Sequence, residues 1–167
     1  MKIAICGKIF SGSKKIAKKL RDIYNLEMYS LVGKANKISN NLFNTNNNGF
    51  INNVYLNMRE IDKTIWVKYL LKIIKSKNVI ITNVKFPEEA KLLKDSGFTI
   101  IKIIIDKKSQ EFFFKNKYKN KDLNILKNYN KVCYDINNIN EDFCFKHNDS
   151  LYKLIYFINK KYKVFII

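Results

Sequence analysis

Residues 1–20 read MKIAICGKIFSGSKKIAKKL, and the reading of this stretch decides the fold. Ile3-Ala4-Ile5-Cys6 is a short apolar run that ends at Gly7, the pattern of a strand buried on both faces. Gly7 to Ser13 is a glycine/serine loop. Beyond it Ile16, Ala17 and Leu20 fall on one helical face. Strand, glycine loop and helix in that order make a phosphate cradle, because loop N–H groups and a helix N-terminus converge on one anion. The full motif is G-x-x-x-x-G-K-[ST], with Lys and then Ser or Thr after the second glycine. Here Gly12 is followed by Ser13 and Lys14. The loop has exchanged that layout for extra positive charge. The candidate phosphate-binding residues of this stretch are Gly7, Lys8, Ser11, Gly12, Ser13, Lys14 and Lys15. Ser11 or Ser13 is expected to cap the helix.

The bulk numbers place the cradle in one globular domain. The chain has 167 residues, 47% hydrophobic and 14% aromatic, enough for a sizeable core. No apolar run approaches the roughly 18 residues of a membrane span, and charged residues interrupt the first apolar run too early for a signal peptide. The expectation is a soluble intracellular protein, of cytoplasm or virion, without a membrane partner. Cys6, Cys133 and Cys144 have no metal-ligand spacing and leave one thiol over, which fits a reducing compartment. His147 is the sole histidine, so a His-rich zinc site is excluded, and no protein metal site is expected.

The net charge is +18. Such a charge points to a polyanion. The same Lys-rich composition also follows from AT-rich codons, which favour Lys, Asn, Ile, Tyr and Phe, and both origins stay open. Lys8, Lys14, Lys15, Lys18, Lys19 and Arg21 form the densest cluster, opposed in sequence only by Asp22. Lys18, Lys19 and Arg21 are candidates for a DNA or RNA backbone, or else a solvated helix face.

Along the chain, strands are expected at 2–6, 78–83 and 98–105, and helices at 13–25, 60–76, 87–96 and 150–162. Residues 27–33 are apolar and of open type. Residues 36–53, with the run Asn46-Asn47-Asn48-Gly49, read as an Asn-rich loop or insertion. Residues 107–140 form a weakly patterned, lid-like region, helical at 108–118 and loop-like over 119–140. Phe143-Cys144-Phe145 reads as a last strand, Asp149-Ser150 as a helix cap, and 164–167 as an apolar tail. Strand and helix alternate from 1 to 106. That argues for a parallel sheet with helices on both faces. Trp66 reads as core, Phe10 as a packing residue, Phe112 to Phe114 as core or interface, Glu88 and Glu89 as partners of a helix dipole, and His147 as a loop residue.

In combination these segments resemble the deoxynucleoside monophosphate kinases of phages and large DNA viruses, a branch of the P-loop kinases. The resemblance rests on GKIFSGSKKIAKKL (7–20), MREIDKTIWVKYLLKII (58–74), VIITNVKFPEEAKLLKDSGFTIIKI (79–103) and HNDSLYKLIYFI (147–158). It implies an α/β, P-loop kinase-like three-layer fold over 1–167. It also implies ATP and Mg²⁺ as cofactors, Gly7, Gly12 and Lys14 around ATP phosphate, and Arg59 and Lys85 on the monophosphate, with Lys14 and Lys85 as the catalytic candidates. The departures fall at the chemistry. Ser13 stands where the phosphate Lys belongs. Lys14 or Lys15 stands where a hydroxyl holds Mg²⁺, and Mg²⁺ needs oxygen donors. The family's Asp-x-Arg reads Asn83-Val84-Lys85. The expectation is a catalytically inactive relative, a basic structural or nucleic-acid-contacting subunit of a virion or ribonucleoprotein assembly with protein partners. The alternative is an active kinase that transfers the ATP γ-phosphoryl to a deoxynucleoside monophosphate.

Overall fold

The first strand, β1 (Lys2–Gly7), lies at the centre of the molecule and alternates strictly between two cores. Ile3 and Ile5 enter one core, and Ala4 and Cys6 enter the other. The computed structural model describes residues 1–119, 122–132 and 135–164. After β1 come α1 (Ser13–Tyr24), β2 (Glu27–Ser30), α2 (Gly33–Phe43), α3 (Asn48–Ile61), α4 (Ile65–Ile73), β3 (Val79–Val84) and α5 (Pro87–Asp95). Then follow β4 (Thr99–Ile104), α6 (Lys107–Lys117), α7 (Leu123–Val132), β5 (Phe143–Lys146) and α8 (Leu151–Tyr162).

The strands form one five-stranded parallel sheet in the order β2-β3-β1-β4-β5. On one face α1 and α8 bury Ile16, Ala17, Leu20, Leu154 and Ile158 against Ile3, Ile5, Ile80 and Ile101. On the other, α3, α4 and α5 bury Tyr55, Trp66, Leu70 and Leu93 against Ala4, Cys6, Ile81 and Ile100. This is the expected α/β architecture of three layers. Burial pushes the Cys6 thiol up to about 12, so it is an inert core residue. Cys6 and Cys144 are both free, and Cys133 lies outside the described residues. Among the described residues no helix is long and apolar enough to cross a membrane.

The expectations fail in four places. Residues 36–53 are not one loop: they complete α2 and, after a short turn, open α3. The asparagines there act as punctuation: Asn44 ends α2 at φ 46, and the Asn47 side chain caps α3 through Gly49 N and Phe50 N. Burial of Ala35, Ser39 and Tyr55 outweighs the low helix propensity of Asn. The single helix expected at 60–76 is two. Asp62 turns extended and accepts from the Thr64 N–H and hydroxyl, at 2.8 Å each. Ile61, at the end of α3, is 77% exposed. The stretch 119–140 contains α7 and a 3-10 turn at Ile136–Asn138, fixed by burial of Leu126, Ile136 and Ile139. Neither Ser11 nor Ser13 caps α1, whose N-cap is Gly12. Of the tail at 164–167, all but Val164 lies outside the described residues.

Candidate phosphate-binding cleft

The chain leaves β1 for α1 on one face of the sheet and leaves β3 for α5 on the other. Adjacent strands whose connections diverge open a crevice at their carboxyl ends. A cavity of about 430 Å³ lies there. Gly7, Lys8, Gly12, Ser13, Lys14, Lys15 and Lys85 line it, so these predicted residues are brought together.

The floor of the cavity is the loop 8–12. It turns on a hydrogen bond from Ser11 N to Lys8 O at 3.0 Å. Gly12 is left-handed at φ 80 and leaves the first turn of α1 without a side-chain cap or an acidic residue. The orphan N–H groups of that turn suit an anion. A Cβ on Gly7 would lie 2.5 Å from Ser11 Oγ and 3.0 Å from Ile103 O, so only glycine lets the loop pack this closely over the sheet. Of the predicted residues in the loop, Ser11 does not line the cavity. It is buried beneath the loop, and its Oγ has no hydrogen-bond partner among the described residues.

Phe10 sits in the same loop at φ 67, a conformation that costs a non-glycine residue about 1–2 kcal/mol. Packing from α6 holds it there. The Phe10 ring meets Phe114 at 6.1 Å and Tyr118 at 6.4 Å, both edge-on. The buried Gln110 amide donates to Ile9 O at 2.9 Å. The phosphate loop is therefore braced from the helix that opens the lid-like region.

The opposite wall comes from α3 and the end of β3. Lys85 Nζ donates to Asn52 Oδ1 at 3.2 Å and lies 4.8 Å over the Tyr55 ring. Asn83 is left-handed at φ 63. It marks a bulge: Ala4 pairs with Ile81, but Cys6 pairs with Val84. The bulge turns Asn83 outward, where its amide donates to Ser30 Oγ at 2.8 Å. A second cavity of about 620 Å³ continues past Lys14 and Asn83, bounded by Arg21, Asn36 and Asn46. Lys18 and Lys19 are exposed on α1 outside both cavities. Arg21 lines the second and pairs with Asp22 at 2.7 Å.

Arg59 is the correction. It was expected on phosphate, but it is buried and lines neither cavity. Its Nη1 donates to Glu89 Oε1 at 2.8 Å and to the Lys63 carbonyl, and its plane lies 3.6 Å over the Phe86 ring. Glu89 is fully buried. It also accepts from the Tyr55 hydroxyl and from Lys85 N and Phe86 N, at 3.0 and 3.3 Å. Burial pushes its carboxyl above the usual 4.5, while the Tyr55 hydrogen bond, the backbone N–H groups and Arg59 pull it down. Glu89 thus does more than serve the dipole of α5. Its place at the third helical position is half of a capping box, and that spacing is the signal that could have revealed it. The cavity walls from Asn48, Asn52, Phe114 and Tyr118 had no such signal, since they arrive from helices read as loop or lid.

Lys8, Lys14, Lys15 and Lys85 face this space, and among the described residues no Asp or Glu lines either cavity. Among the described residues no group of three His, Cys, Asp or Glu could hold a metal. A glycine loop and four ammonium groups fit phosphate. The described lining offers Mg²⁺ neutral oxygens but none of the carboxylates through which proteins commonly hold it.

No protein-family profile matches the sequence, and no curated protein matches it. Solved structures do match in shape. A shikimate kinase from Aquifex aeolicus superposes with a TM-score of 0.57 at 16% identity, covering 98% of this chain and 96% of that one. A putative kinase from Chloroflexus aurantiacus gives 0.60 at 8% identity, covering 97% and 96%. An uncharacterized protein from Eubacterium ventriosum gives 0.54 at 20% identity, covering 99% of each. The chain has the P-loop kinase fold. Three of the four cleft lysines, Lys8, Lys14 and Lys15, belong to the loop between β1 and α1 and the first turn of α1.

Proposed function

We propose that this chain is a catalytically inactive relative of the deoxynucleoside monophosphate kinases, which keeps the phosphate cleft as a polyanion site and serves as a nucleic-acid-contacting subunit of a larger assembly. The observation that carries this reading is the chemistry of the cleft wall: lysines on the loop, on α1 and at the end of β3, and no carboxylate among the described residues. Phosphoryl transfer of this kind relies on positioning and on a metal that bridges the phosphates. Here a lysine stands at the hydroxyl position of the motif, and Asn83 stands where the resembled family has an acid. The exposed lysines of α1 continue the positive surface beyond the cleft, where they suit a phosphate backbone.

The test is a phosphoryl-transfer assay with ATP, Mg²⁺ and the deoxynucleoside monophosphates, beside salt-dependent binding of DNA and RNA. No turnover together with salt-sensitive binding is the expected result. Turnover that Lys14→Ala abolishes overturns the reading. The active alternative has one observation in its favour: the first cavity opens at Lys14 into the second, which leaves room for an acceptor beside the phosphate loop.

A further inference from the structure

We infer that the cleft binds a triphosphate chain without a metal, and that Mg²⁺ weakens the binding. This rests on the reading of the cleft as a phosphate site and names the ionic form that the site takes. A terminal phosphoryl carries about −1.5 to −2 at neutral pH. With one charge on each inner phosphoryl, a free triphosphate carries roughly −4. The cavity opposes it with Lys8, Lys14, Lys15 and Lys85, so the charges balance without a cation from solution.

The rest of the wall points the same way. Asn48, Asn52, Asn83 and Ser13 supply neutral amide and hydroxyl groups. Among them are amide N–H donors to phosphate oxygens, whereas their oxygens are neutral and no described lining residue brings the carboxylate that commonly holds Mg²⁺. Lys85 is fixed against Asn52 and the Tyr55 ring, so its ammonium is placed before the ligand arrives. Magnesium on the phosphates removes about half of the ligand's charge and sets a divalent cation among the lysines. Like charges in a partly desolvated cleft repel. A free nucleoside triphosphate and the 5′-triphosphate end of a nucleic acid share this chemistry.

The experiment is calorimetric titration of the full chain with ATP in EDTA and again in excess Mg²⁺, at matched ionic strength. A 5′-triphosphorylated and a 5′-hydroxyl RNA of one sequence serve as further ligands. The expected result is tighter binding in EDTA by about tenfold, equal to about 1.4 kcal/mol. Lys14→Ala/Lys15→Ala, both exposed and safe for folding, should lose that advantage, while Lys72→Ala/Lys75→Ala on the distant α4 side should keep it. The 5′-triphosphate RNA should exceed its 5′-hydroxyl form if the nucleic-acid end is the source, and ATP alone should bind if the free nucleotide is. Affinity that rises with Mg²⁺, or no binding of either ligand in EDTA, overturns this inference. Rising affinity without turnover leaves the inactive reading standing, whereas rising affinity with turnover overturns both.

Discussion

Single residues carry most of the stress of this fold around the phosphate loop. Gly7 has two neighbours that cannot both yield, because Ser11 Oγ is mobile but Ile103 O belongs to the β1–β4 ladder. Gly7→Ala should destabilise the protein by about 1–3 kcal/mol through overpacking. Gly12→Ala meets nothing within 4 Å and suffers only the left-handed backbone, a cost of about 1–2 kcal/mol. Urea unfolding followed by circular dichroism measures both, and equal stability of Gly7→Ala and the parent would sink the close-approach argument. Glu89 is the other pivotal residue. Removing its carboxylate takes away the shorter of the two ion pairs of Arg59, leaving Glu88 at 3.5 Å, so Glu89→Ala should cost about 3 kcal/mol. An effect below about 1 kcal/mol would show the pair to be solvated. Arg59 was placed on phosphate by resemblance alone. Its true partner lies thirty positions along the chain, a distance that no local pattern bridges.

Among the elements, the strands were the most legible. Their runs of Ile and Val are bounded by Gly, Asn and Asp, and burial on both faces leaves little else such runs can be. The pair α2 and α3 was illegible for the opposite reason. Asn predominates there, and its role as cap or as helix interior depends on whether Tyr55 and Ala35 find a core. The break between α3 and α4 is likewise made by one side chain. Asp62 is held at about 2, below the usual 3.8, first by its hydrogen bond with Lys68 and then by the Thr64 N–H and hydroxyl. A depressed carboxylate adds stability above its unfolded value and loses it as the pH falls through its folded one. The contribution should therefore be complete above pH 3.8 and vanish between 3.8 and about 2. Asp62→Asn should lower stability at neutral pH and flatten the acid limb in that window. Acid titrations of the two proteins that run parallel throughout would refute the capping role.

At the scale of the molecule, the +18 charge becomes a surface with a direction. The lysines of α1 lead out of the cleft, and among the described residues neither cavity has an acidic one. If nucleic acid lies along this surface, log K should fall linearly with log salt, by about 0.9 per phosphate neutralised on a duplex. Lys18→Ala/Lys19→Ala should then reduce the slope by about 2. An unchanged slope would return those lysines to the role of a solvated face. Composition showed the charge but not its placement, because the walls of the cleft come from β1, α1, α3, β3 and α6 and meet only in the folded chain. One consequence of that meeting is optical. Trp66 is the sole tryptophan, and it stacks on Tyr55 at 5.5 Å and 9°. The Tyr55 ring also lies under the ammonium of Lys85, a wall of the cleft. A phosphate that pairs with the Lys85 ammonium where it stands would alter the electric field on the indole, so Trp66 emission should serve as an unlabelled gauge of cleft occupancy.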